Sequence, residues 1–303
     1  MNMLSHSLQK IACLIGSARK TSENQAVGSL GRAIQELVPA ADNYENSLSF
    51  GQRPEAQSCD VTVNMPPALA VAKRLCRQGN LNLATEILLY LHDEASFNDD
   101  VRGQALAMNQ LGVVKRMQRK YDDASSDLTC ALIDFQRLQD WRLVAEGINN
   151  LGMLSFKRFE YERAADAFDD AQRLCNSLKY DSLLGFVFLN KAELFLAQRD
   201  CKMAAKMCAF GLTQHVRHDM SPGIARGCLL VGQILWKCQQ IQIASAVCLE
   251  SMRLYRTLNI PLGLANCCTE FSTLLNDAGE KHAARKYWRQ AHSIYEQIGM
   301  DVN

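Results

Sequence analysis

The phrase Leu111-Gly112 returns 40 residues later as Leu151-Gly152. The same step carries the glycine position through Ala72, Gly112, Gly152, Ala192, Gly232 and Ser272, all of them small. Twelve residues after each stands an alanine: Ala84, Ala124, Ala164, Ala204, Ala244 and Ala284. A strict period of this length marks a repeat array, in which each unit buries its apolar face only against its neighbours. Function is then expected on a long surface rather than in a catalytic pocket.

The frame decides how the cysteines are read. Twelve are present, without a Cys-x-x-Cys, and Cys201, Cys208, Cys228, Cys238 and Cys248 form a ladder that invites a metal or disulfide reading. Cys208 and Cys248, however, share the phase of Leu88, Leu128, Phe168 and Trp288, and Cys228 and Cys268 that of Met108, Ile148 and Phe188. They replace core residues, as a small buried hydrophobe does. Reduced thiols point to a cytoplasmic protein. No apolar run approaches the ~18 residues of a membrane span. Ile11 to Ile15 is too short for a signal-peptide core, although Lys10, Arg19 and Lys20 precede the first acid, Glu23, and leave a mitochondrial presequence open. With 33 basic and 32 acidic residues, the net charge of +1 makes no global case for nucleic acid.

Three segments are expected. Residues 1–38 read as an N-terminal helical segment, around Leu4–Ile15 and Ser22–Val38. Residues 39–64 read as a flexible linker, broken by Pro39, Gly51 and Pro54. Residues 65–303 read as the array, with units starting near 65, 105, 145, 185, 225 and 265. Each unit reads as two helices. Met108, Leu111, Val114 and Met117 make one stripe at 3–4 spacing, and Ala124, Leu128, Ala131 and Phe135 make the next. Asp100, Asp140 and Ser221 are placed to cap helices, and Pro222 and Pro261 fit a first turn. Glycine inside a helix costs about 1 kcal/mol relative to alanine, so its return at one phase implies close helix approach.

The Leu-Gly centre of the first helix, the apolar opening of the second (Leu81, Tyr121, Tyr161, Cys201, Ile241) and the triplets Ala164-Phe168-Ala171 and Ala284-Trp288-Ala291 resemble the tetratricopeptide repeat. The 40-residue period looks like the long-repeat branch, which includes spindle-orientation adaptors, kinesin light chains and bacterial peptide-sensing regulators. The resemblance covers residues 65–297. It implies an all-α, right-handed α-solenoid of about six helix–turn–helix units, with the first helices lining a concave groove.

On that implication, groove candidates are Lys73, Arg77, Asn109, Arg116, Asn149, Phe156, Lys157, Asn190, Arg226, Gln233, Trp236 and Lys237. Asparagines recur at Asn109, Asn149-Asn150 and Asn190. An amide can donate and accept at once, so the ladder can hold an extended peptide by its backbone, or it can bridge adjacent helices. The basic candidates, with Phe156 and Trp236 as apolar anchors, suit an acidic segment, or they are a solvated face. The groove acids concentrate in the last unit, at Glu270 and Asp277, with Glu193 also on a first helix. His215-x-x-His218 lacks a third metal ligand, and no catalytic or phosphate-cradling motif is present. The expectation is a non-enzymatic adaptor or scaffold without cofactor or metal, binding a protein or peptide, with neither nucleic acid nor a membrane span. The alternative is a peptide- or ligand-responsive regulator controlling an effector. No polar terminal helix is expected over the last apolar face, with Tyr287, Trp288 and Ile294, so the uncapped C-terminal repeat is expected to offer it to another copy in a homo-oligomer, to the N-terminal helices or to a partner.

Overall fold

The computed structural model describes residues 9–13, 67–218 and 220–300. Most of the expected N-terminal helical segment and the whole expected linker lie outside the described residues. Twelve helices follow Pro67: α1 (Pro67–Gln78), α2 (Leu81–Phe97), α3 (Val101–Met117), α4 (Tyr121–Arg137), α5 (Trp141–Lys157), α6 (Tyr161–Leu178), α7 (Asp181–Ala197), α8 (Cys201–Arg217), α9 (Ser221–Lys237), α10 (Ile241–Thr257), α11 (Pro261–Asp277) and α12 (Lys281–Gln297). Odd-numbered helices are the first of each repeat and even-numbered helices the second.

One turn recurs along the described residues. Every twentieth residue from Gly79 to Gly299 has a positive φ, residue 219 lying outside the described residues. The position holds glycine at Gly79, Gly279 and Gly299 but arginine, glutamine, phenylalanine, lysine, aspartate or asparagine at the other described positions. After α3, the N–H of Arg119 donates to the Arg116 carbonyl (3.1 Å) and that of Lys120 to the Lys115 carbonyl (2.9 Å). This pair of bonds closes a helix end by satisfying carbonyls that the last turn leaves open. The same longer bond recurs after α4 (Asp140 to Phe135), α5 (Glu160 to Ser155) and α9 (Gln240 to Leu235). The next residue opens the following helix. The side chains of Asn80, Asp100, Asp140 and Asp200 each accept from the backbone N–H three residues on, the usual role of a helix N-cap.

The small positions do the packing expected of them. A methyl added at Gly112 would lie 2.6 Å from Leu128, one at Gly152 2.7 Å from the Phe168 ring, and one at Gly232 2.5 Å from Cys248 Sγ. Ser272 takes the same place and donates to the Ala284 carbonyl at 2.8 Å. The six alanines at the later phase are buried throughout. Cys208, Cys228, Cys248 and Cys268 are buried too, and among the described residues the cysteines are free thiols. Burial pushes the thiols of Cys208 and Cys248 up to about 12, so they are unreactive core residues.

The helices group into two compact bodies. The first holds Pro67 to Val187, together with Ile298–Met300. Ile298 fills the space over Gly79, and Met300 packs on the cluster around Leu69, Leu88 and Phe135. Within this body α1 touches α3, and α3 touches α5, while second helices barely meet one another. The first helices therefore lie on its inner side. The second body runs from Phe188 to Gln297 and includes residues 9–13. Here α9 likewise touches α11. Ile11 is fully buried in its core, and Lys10 Nζ lies 3.1 Å from Glu250 Oε2. Arg253 holds the other oxygen of Glu250 at 2.6 Å. The corresponding residues Tyr90, Cys130 and Phe210 are exposed; Glu250 is buried because this segment lies over it. His215 is buried against Gly223, and burial lowers its pKa to about 4, with Arg226 adding to the effect.

Three outcomes follow. Gly152→Val should lower stability by about 1–3 kcal/mol through overpacking against Phe168, read from the denaturant midpoint. Gln239→Gly should raise it by roughly 0.5–1 kcal/mol by relieving a left-handed residue. Because the folded pKa of His215 lies below the unfolded value near 6.5, its contribution is full above that pH. It should be lost as pH falls toward about 4. His215→Phe should flatten the stability profile in that window.

Candidate functional site

The twelve groove candidates divide between the two bodies, and each body is described by itself. In the first, α1 carries Lys73 and Arg77, α3 carries Asn109 and Arg116, and α5 carries Asn149, Phe156 and Lys157. Arg77 and Lys157 are exposed, and Lys73, Arg116 and Phe156 are half-buried. Burial lowers the pKa of Lys73, opposed by the attraction of Glu146. Glu146 accepts from the Tyr180 hydroxyl at 2.5 Å, and Arg142 sits over the Tyr180 ring at 5.4 Å. Lys157 Nζ stands 5.1 Å from the centre of the Phe156 ring, which lies 5.9 Å from Tyr161. Phe159, at a left-handed turn, is 77% exposed and meets Tyr161 edge-on. This aromatic group is the apolar anchor that remains open.

The asparagines are not an open ladder. Asn109, Asn149 and Asn190 are buried. Asn150 Nδ2 donates to Asn109 Oδ1 at 3.1 Å, tying α5 to α3. This is the helix-bridging arrangement that the sequence left open beside peptide pairing. The amide of Asn109 is enclosed, so a ligand reaches it only if neighbouring side chains move.

In the second body Arg226 is ion-paired with Glu193, and Gln233 Nε2 donates to Glu270 at 2.9 Å. Lys237 is exposed at the end of α9. Trp236 departs from its expected place as a groove anchor. It is 6% exposed and lies edge-on to Phe271 at 6.4 Å, which in turn meets Tyr287 at 4.8 Å. Its indole joins α9 to α11 within the core. Acids also stand on earlier first helices, Glu146 on α5 and Glu193 on α7. His215 is buried and His218 exposed. No group of three metal-binding side chains occurs among the described residues, and no described helix is long and apolar enough to cross a membrane.

Helix boundaries expose a pattern that the linear sequence hides. In the first body α1, α3 and α5 carry eight lysines and arginines against one acid, Glu146. Their partners α2, α4 and α6 carry eleven acids against three arginines. Sequence reasoning named the basic residues but counted neither their acidic backs nor Glu146. In the second body the first helices are balanced, Arg226 and Lys237 on α9 standing against Glu270 and Asp277 on α11.

Comparison with known proteins agrees with this architecture. A tetratricopeptide repeat family model matches residues 264–298. No curated protein matches the chain in sequence. Among solved structures, a Rap protein complexed with Competence and Sporulation Factor is similar with a TM-score of 0.64 and 10% identity, over 90% of this chain and 75% of that one. The apo form of RapI matches at 0.64 and 12%, over 91% and 99%. The Rap conjugation gene regulator of plasmid pLS20, in complex with the Phr* peptide, matches at 0.53 and 14%, over 98% and 95%. These likenesses show a shared helical-repeat solenoid fold. The fixed phase of the small residues, the paired helices and the family match make this chain a tetratricopeptide-type repeat protein.

Proposed function

We propose that the chain is a non-enzymatic protein-interaction module that holds an extended acidic segment along the inner helices of its first body. The observation that carries this reading is the charge segregation there, with basic first helices backed by acidic second helices. Inner-face cations attract an acidic chain, and the acidic backs turn it away from the outer side. Arg77 and Lys157 are the exposed contacts, with Phe156 and Phe159 offering apolar anchorage next to Lys157. Lys73 and Arg116 lie deeper and supply field more than direct contact. In the second body Asn190, Arg226, Gln233 and Trp236 are engaged within the fold, so its inner face contributes chiefly Lys237. The free core thiols fit a reducing compartment such as the cytoplasm.

A second reading, a peptide-responsive regulator, draws support from the two similar structures solved with a signalling factor or peptide. Compaction on peptide addition, measured by small-angle scattering, distinguishes it from a passive adaptor.

The main reading is tested with a fluorescein-labelled extended peptide rich in aspartate and glutamate, and a lysine-rich counterpart. The acidic peptide should bind and the lysine-rich one should not. Arg77→Glu with Lys157→Glu should weaken the acidic peptide at least about tenfold, or about 1.4 kcal/mol, with affinity falling as salt rises. Unchanged affinity in that double variant would overturn the reading.

A further inference from the structure

The second helices of the second body reverse the charge pattern of the first. α8, α10 and α12 carry nine lysines and arginines against two acids. On α12, Lys281, Arg285, Lys286 and Arg289 are exposed and make no ion pair among the described residues. Between them stands Trp288, 51% exposed and stacked on His292 at 5.2 Å. The same phase is fully buried at Leu88, Leu128, Phe168, Cys208 and Cys248. An exposed tryptophan with arginines on either side is the composition of an interface anchor.

The first body carries the matching face. A groove of about 380 Å³ is lined by Ala68, Val71, Leu83, Glu86, Ile87 and Tyr90. Its apolar character is local, since the following repeat places Asp123, Asp127 and Cys130 where this one has Leu83, Ile87 and Tyr90. Glu86, Tyr90 and Glu94 recur at four-residue steps and form one stripe along α2. Tyr90 is 66% exposed, and neither glutamate makes an ion pair among the described residues. The stripe on α2 thus reads acid–aromatic–acid, and α12 carries an exposed aromatic beside the Arg285–Arg289 pair of bases.

We propose that these two faces are complementary halves of an interface between copies of this chain, with α12 of one copy seated in the α1–α2 groove of another. Each face is uncompensated on its own surface, and the chemistry that satisfies each is carried by the other. A nucleic acid would match only the basic face and be repelled by the acidic one. The contact is heterologous, so it continues from copy to copy unless the geometry closes a ring. It uses α2 and α12 with Ala68 and Val71 of α1, none of them a residue of the inner-face peptide reading, which stays independent.

Analytical ultracentrifugation of the full chain tests the proposal. At about 50 mM salt the average mass should rise with concentration above the 33.9 kDa monomer, and at about 500 mM it should return to it. Glu86→Lys with Glu94→Lys should be monomeric alone, and so should Arg285→Glu with Arg289→Glu. An equimolar mixture of the two variants should associate again, because an intact basic face then meets an intact acidic one. A wild-type chain that stays monomeric at every concentration overturns the proposal. So does an arginine variant that loses binding to a single-stranded oligonucleotide while the wild-type mass never changed. A lower melting temperature on Leu83→Asp at monomeric concentration would mean that the chain's own residues already fill the groove, which also overturns it.

Discussion

The left-handed residue that recurs at the described helix ends is the constraint on which the rest of the structure depends. It reverses the chain in three residues, satisfies the last carbonyls, and delivers the next residue as an N-cap. Repeated every 20 residues, it lays helix against helix in antiparallel order without a long connection. The turn fixes direction but not distance. Distance is set by Gly112, Gly152 and Gly232, where a single methyl would collide with Leu128, Phe168 or Cys248. Turn and close approach together hold every repeat in the same phase. Only then do residues 40 apart share a face, so that charge can accumulate on first or second helices as a surface property.

The packing was largely legible in the sequence because it is local and periodic. Buried cysteines could be assigned without coordinates, since Cys208 and Cys248 sit at the phase of Leu128 and Phe168. The turn was less legible. Arg119, Phe159 and Gln239 adopt a conformation that favours glycine, so their identities gave no sign of it. Their 20-residue spacing, once known, divides the 40-residue repeat into two equivalent steps.

The candidate site was legible in outline only. Phase counting placed Lys73, Arg77, Arg116 and Lys157 on first helices correctly, but it could not say what each side chain touches in the next repeat. That information decides Trp236, which turns into the core toward Phe271, and Asn109, which accepts from Asn150. It also decides Arg226, whose charge is met by Glu193. Such contacts depend on side-chain reach between repeats, which a linear pattern does not encode. The strongest functional signal, opposite charge on the two helix sets of the first body, emerges only when residues are grouped by helix. Along the chain the acids and bases nearly cancel, and the net charge of +1 conceals the separation.

Charge separation across a small body acts through position rather than through total charge. At physiological salt the field of exposed lysines and arginines reaches about 8 Å, so it is felt within the inner face and not beyond it. Where the ligand lies is therefore the central question. The most direct measurement is photo-crosslinking of an acidic extended peptide to the full chain, with the crosslinked residues located by mass spectrometry. The account expects crosslinks on α1, α3 and α5 near Arg77, Phe156 and Lys157. Crosslinks concentrated on α2, α4 and α6, or spread without preference over both helix sets, would contradict it.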